Sequence, residues 1–135
     1  MASSIQVQRT GQLKTVQATP GQCYDYLDEL THDRSHSFAF RLDQTRRVSI
    51  DIANQLQPKW LGQWFGYQNI QVVLWSAWGE QQELFSVAPG DRDREIITLN
   101  AGRYLLELKT ETDQKIDYSL KLTAMKWLML ECVSV

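Results

Sequence analysis

The chain has 135 residues, 43% hydrophobic and 22% charged, with a formal net charge of −2. That suits one domain with an ordinary globular core. It excludes general attraction to nucleic acid or anionic membrane, and no run approaches the roughly 20 apolar residues of a membrane helix.

Residues 1–12 are rich in Gln, Ser and Thr and read as a flexible tail, with one β-sandwich domain over 13–135. The opening Met1-Ala2-Ser3-Ser4-Ile5-Gln6 lacks a basic end followed by an apolar core, so it does not read as a secretory signal. The expected location is cytoplasmic, or extracellular if a leader has been removed. Thr19-Pro20-Gly21 is a turn signal. Tyr24 to Leu30 fits a strand or a short helical turn equally well.

Clear strands follow. Phe38, Phe40 and Leu42 alternate with Ser37, Ala39 and Arg41, and Val48, Ile50 and Ile52 alternate with Arg47, Ser49 and Asp51. The short link Asp43-Gln44-Thr45 predicts a hairpin between them. From Asn54 to Asn69 the alternation stops, and the stretch holds Pro58, Gly62 and Gly66 among Trp60, Leu61, Trp64, Phe65 and Tyr67. It reads as a long loop with its own packing or purpose. Ile70, Val72 and Leu74 resume a strand that runs to a turn at Gly79; Leu84, Phe85 and Val87 form a weaker strand, and Ile96, Ile97 and Leu99 form another. After Asn100-Ala101-Gly102, Tyr104, Leu106 and Leu108 alternate with Arg103, Glu107 and Lys109 around them, and Tyr118, Leu120 and Leu122 alternate with Ser119, Lys121 and Thr123, predicting a second hairpin. The segment Lys126 to Val133 is apolar on both sides, as a strand between layers or against a second protein would be. About eight strands separated by turns predict an all-β fold, an antiparallel two-sheet sandwich.

The order of these strands resembles a known family. An aromatic strand, Ser37 to Leu42, leads to an aliphatic one, Val48 to Ile52; a third, Ile70 to Leu74, ends near a Trp-Gly turn. The phrase Leu99-Asn100-Ala101-Gly102-Arg103-Tyr104, closed by the Tyr118-to-Leu122 strand, is its most specific part. Together they resemble the bacterial pre-peptidase C-terminal domain, a jelly-roll-like β-sandwich related to collagen-binding modules, over roughly Gly11 to Ala124. The resemblance implies a non-catalytic module of the kind secreted with proteases and other hydrolases, some of which bind calcium or extended polymers. This chain differs in showing no signal peptide and in an aromatic insert at Trp60 to Tyr67, and it is expected to stand without an attached enzyme.

No catalytic constellation is legible. His32 and His36 are the only histidines and read as exposed loop residues. Ser35 and Ser37 flank His36, but adjacency in sequence is not triad geometry. Cys23 and Cys132 read as two separate small hydrophobes rather than a disulfide framework. Two acidic groups, Asp25, Asp28, Glu29 and Asp33, and Asp91, Asp93 and Glu95, offer oxygen ligands to calcium without EF-hand spacing. Surface acids are the plainer reading, and no cofactor is expected. Arg46-Arg47 and the balanced run Asp91 to Glu95 read as solvated turns or strand edges.

The aromatic residues Trp60, Trp64, Phe65, Tyr67 and Trp78 are the candidate binding group. Exposed Trp and Tyr give large contact area at low entropic cost; the same residues would equally serve to close one end of the sandwich. Trp60 and Trp64, between Gln and Gly, are expected to be partly exposed. Trp127, Leu128, Met129 and Leu130 are the candidate partner contacts. The expected function is a protein-interaction or assembly module, acting on a protein partner or a second copy of itself. The alternative is a carbohydrate- or polymer-binding module using exposed tryptophans.

Overall fold

Period-two alternation becomes strand along most of the chain. The computed structural model describes residues 3–9, 12–18, 22–31, 35–57, 68–125 and 133–134, and side chains over 25–31, 35–57 and 68–124. The strands are β1 (Ser3–Arg9), β2 (Gln12–Ala18), β3 (Gln22–Leu30), β4 (His36–Leu42), β5 (Arg46–Asn54) and β6 (Ile70–Ser76). They continue as β7 (Gln81–Val87), β8 (Arg92–Leu99), β9 (Gly102–Lys109), β10 (Ile116–Met125) and β11 (Val133–Ser134). Among the described residues no helix is long and apolar enough to cross a membrane.

Two sheets result. One has six strands in the order β2-β1-β4-β9-β6-β7, the other five in the order β11-β3-β10-β5-β8. Neighbours are antiparallel except β11, which lies parallel to β3. This is the all-β, two-sheet sandwich that the alternation predicts. Phe38, Phe40, Ile70, Val72, Leu106 and Leu108 point inward from the first sheet, and Val48, Ile50, Ile52, Leu120 and Leu122 from the second. Each fully buried side chain of this size contributes roughly 1.5–3 kcal/mol, offset by chain and rotamer entropy.

Both expected hairpins are replaced by crossings. β4 pairs with β1 and β9, while β5 pairs with β10 and β8. Likewise β9 pairs with β4 and β6, while β10 pairs with β3 and β5. Alternation fixes which face of a strand is buried; it does not say whether the next strand continues that sheet or turns over the core into the other. Here the short links turn over. In 110–115 the crossing is stabilised locally: Thr110 and Thr112 are buried, the Thr112 N–H donates to Thr110 Oγ1 at 3.4 Å, and the Gln114 N–H donates to Thr112 Oγ1 at 3.2 Å. The hairpins among the described residues are β1–β2 and β6–β7.

The first residues differ from the flexible tail expected over 1–12. Ser3–Arg9 is strand β1, paired on one side with β2 and on the other with β4. Ile5 and Val7 carry a weak alternation that the surrounding polar residues obscure. The ambiguous Tyr24-to-Leu30 segment is strand β3. The charged run at Arg92 to Glu95 lies on β8, the edge strand of the five-stranded sheet. Arg92 donates to both carboxylate oxygens of Asp51, at 2.7 and 2.8 Å, and that hydrogen bond, then the charge behind it, raises the guanidinium pKa above its usual value. Charge on an edge strand opposes pairing with further chains.

Candidate functional site

Trp78 stands at the tip of the β6–β7 hairpin and is 91% exposed, the most exposed large hydrophobic side chain among the described residues. The turn that carries it is pinned. The Gly79 N–H donates to the Ser76 carbonyl at 3.1 Å, and the Ser76 N–H donates to the Glu80 carbonyl at 2.9 Å. The Glu80 N–H also donates to Ser76 Oγ at 3.2 Å. Gly79 takes φ = +82°, which closes the turn and which L side chains rarely adopt. Ser76, Trp78 and Gly79 thus form a tight, hydrogen-bonded support for a side chain that gives almost nothing to the core.

Beside Trp78 opens a cleft of about 650 Å³. Strand register builds it. β9 lies against β6 with Tyr104 opposite Ser76, so the Asn100-Ala101 turn arrives next to the Trp78 turn. Leu74, Leu99, Ala101 and Tyr104 give apolar walls, and Ser76, Glu80, Gln81, Gln82 and Asn100 give polar ones. The Tyr104 ring is fixed by stacking on Phe40, with centroids 5.4 Å apart, and its hydroxyl donates to the Asn100 carbonyl at 2.8 Å. Thr45 Oγ1 donates to Asn100 Oδ1 at 3.4 Å, a contact that does not use the amide N–H groups of Asn100. Among the described residues no Lys or Arg lines the cleft.

Of the aromatic group predicted from sequence, the structure places Trp78 alone. Trp60, Trp64, Phe65 and Tyr67 lie outside the described residues, as do Trp127, Leu128, Met129 and Leu130. The described flanks of the aromatic segment do have a position. Gln57 follows the end of β5 and Gln68 precedes the start of β6, whereas Trp78 follows the other end of β6. Its anchors therefore lie one strand length away from the Trp78 turn. Trp75 is half-buried on β6, and its Nε1–H donates to Glu107 Oε1 at 3.4 Å. Tyr104, Asn100, Gln81 and Gln82 were not legible as site residues. What assembles them is the β6–β9 register, which leaves no local signal.

The structure corrects the reading of His36. It is buried at the start of β4, not exposed in a loop. His36 Nδ1 and the Tyr118 hydroxyl share a hydrogen bond at 2.5 Å, and Asp28 Oδ2 stands 3.9 Å from the same nitrogen. The Tyr26 hydroxyl donates to Asp28 Oδ2 at 2.7 Å. Asp28 is thus drawn from the surface acids into a buried polar cluster, while Asp25 and Glu29 stay exposed. Ser37, next along the strand, points the opposite way from His36. His32 and Asp33 lie outside the described residues. Asp91 and Asp93 are exposed around the start of β8.

No family model matches the chain, and no curated protein sequence matches it. Solved structures do. The pre-peptidase C-terminal domain of a collagenase from Bacillus anthracis superimposes with a TM-score of 0.57 at 15% identity, over 76% of this chain and 90% of that one. A mitogen derived from Yersinia pseudotuberculosis superimposes with a TM-score of 0.51 at 8% identity, over 82% of this chain and 92% of that one. At these identities the likeness is one of fold. The chain has the sandwich of a pre-peptidase C-terminal domain, as its strand order suggests.

Proposed function

We propose that this chain is a non-catalytic binding module that holds its ligand at the Trp78 cleft. One observation carries the reading: a tryptophan is held almost fully in solvent by a hydrogen-bonded turn, at the lip of a cleft with fixed walls. Exposing so large an apolar ring brings no folding stability, and contact with a partner is the use that repays it. Among the described residues the cleft's polar groups are amides, the Ser76 and Tyr104 hydroxyls and one carboxylate. That set suits recognition better than nucleophilic attack. The fold shared with a pre-peptidase C-terminal domain supports an attachment role.

The test is a two-dimensional NMR titration of the full chain, following the Trp78 indole N–H against panels of peptides and of oligosaccharides. Binding is expected to shift that resonance first. A panel in which every ligand leaves it unmoved would count against the reading.

A second reading, self-association or a protein partner, has its own observation. Leu27 on β3 is 73% exposed on the outer face of the five-stranded sheet. Mass in solution, measured for Leu27→Lys and for a chain without Lys126 to Val135, a segment that includes β11, tests it. An unchanged oligomeric state counts against that role for Trp127 to Leu130.

A further inference from the structure

We propose that the ligand of the Trp78 cleft is a neutral oligosaccharide, an inference that rests on the binding role assigned to this cleft above. The argument begins with charge. Among the described lining residues Glu80 alone is charged. An anionic ligand, whether a phosphate, a uronic or sulfated glycan or a nucleic acid strand, would meet a carboxylate that no cation among the described lining residues offsets. The described lining therefore favours a neutral ligand over an anionic one.

The polar lining narrows it further. Gln81, Gln82 and Asn100 carry amides that both donate and accept, Ser76 a hydroxyl, and Glu80 two acceptor oxygens. The side chains of Glu80, Gln81 and Gln82 make no hydrogen bond or ion pair among the described residues, so their capacity faces outward. Amides, a hydroxyl and a carboxylate near an exposed aromatic ring suit a molecule whose rim is hydroxyls and whose faces are C–H. The π-face of Trp78 is electron-rich and accepts the polarised C–H face of a sugar ring. Leu74, Leu99 and Tyr104 supply apolar wall for the rest. The volume of about 650 Å³ lies within the span usual for small-ligand sites, and suits a short oligosaccharide or the end of a longer chain.

A protein partner fits less well. Protein hot spots sit in an apolar, fully desolvated surround. Around Trp78 the neighbours Ala77, Glu80, Gln81, Gln82, Asn100 and Ala101 are all exposed, and most are polar. The platform itself needs no ordering on binding, because the turn beneath it is already hydrogen bonded.

The experiment uses the full chain and named probes: the hexasaccharides of cellulose, chitin, xylan, mannan and amylose as neutral ligands, hexagalacturonate as the anionic one, and a collagen-like triple-helical peptide as the protein one. Calorimetry gives the affinity, and the Trp78 indole resonance, assigned by its loss in Trp78→Ala, gives the place. The expected result is that at least one neutral hexasaccharide binds and moves that resonance, that hexagalacturonate does not, and that Trp78→Ala weakens binding by about tenfold or more. Gln81→Ala should weaken it less, with circular dichroism unchanged in both variants. If the peptide or hexagalacturonate moves the Trp78 resonance and no neutral sugar does, the ligand class is wrong while the binding role stands. If neutral sugars bind without moving it, the assignment to this cleft is wrong. If no probe moves it, both the ligand class and the binding role fall.

Discussion

The Tyr118 hydroxyl meets His36 Nδ1 across the layer that separates the two sheets, at 2.5 Å. Tyr118 belongs to β10 in the five-stranded sheet and His36 to β4 in the six-stranded one. Both are buried, Tyr118 completely, and Asp28 and Tyr26 of β3 extend the contact. The surrounding core is aliphatic and aromatic, so this polar contact has directional demands that its neighbours lack. It ties the sheets at one relative position.

Tyr118→Phe keeps the ring and removes the hydroxyl. The expected loss is about 1–3 kcal/mol, since a hydrogen bond between buried polar groups disappears while His36 stays in place. Urea unfolding with an unchanged slope checks it. A variant as stable as the parent would mean that the contact contributes nothing net.

Asn54, at the end of β5, joins three segments by side chain alone. Its Nδ2 donates to the Gln68 carbonyl and to the Val87 carbonyl, each at 3.0 Å, and its Oδ1 accepts from the Leu56 N–H at 3.1 Å. The residue is almost wholly buried. Asn54→Ala removes three bonds to backbone groups, two of them carbonyls that flank the six-stranded sheet. A loss of about 2–4 kcal/mol is expected by denaturant unfolding. Asn54→Asp should restore only part of it, because a carboxylate accepts from Leu56 but has no N–H for the two carbonyls.

The contrast between these residues and the core shows what the sequence reveals. Phe38, Phe40, Ile50, Leu106 and Leu120 are inward-facing in the structure and were legible as such, because burial of one strand face is written into nearest-neighbour alternation. The pairing of those strands was not legible. Asp43-Gln44-Thr45 is as short as a hairpin loop, and nothing in three residues tells that β5 turns over into the other sheet. Tyr118 and His36 lie 82 positions apart, so their contact is a product of the crossings. Asn54 read as the start of a loop, and its role depends on carbonyls far along the chain. Trp78 could be picked out as an aromatic beside a Gly turn, whereas Tyr104 and Asn100 join it only through the β6–β9 register.

Core and site should separate cleanly by mutation. Leu106 is fully buried at the centre of the first sheet, and Leu106→Ala is expected to cost about 2–5 kcal/mol, depending on how far the cavity relaxes. Trp78→Ala removes a larger side chain yet should change stability by no more than about 0.5 kcal/mol, since the ring is in solvent. Guanidinium unfolding of the two variants side by side checks this. A large loss for Trp78→Ala would show that its ring packs in solution and is not held free for a ligand.

Backbone conformation explains why β9 begins on Gly102. Its φ is +149°, a value that L side chains rarely adopt, and no atom lies within 4 Å of where a Cβ would stand. The need is therefore conformational and not one of space. Gly102→Ala is expected to cost about 1–3 kcal/mol through backbone strain alone. Because Gly102 leads directly into Tyr104, relief of that strain would also shift the Asn100-Ala101 turn and with it one wall of the cleft. The variant should thus show lower stability in urea together with shifted amide resonances at Asn100 and Tyr104, while resonances of the Asn54 contact, at the other end of the sandwich, stay where they are. Uniform shifts throughout the chain would instead mean that the turn is coupled to the whole fold.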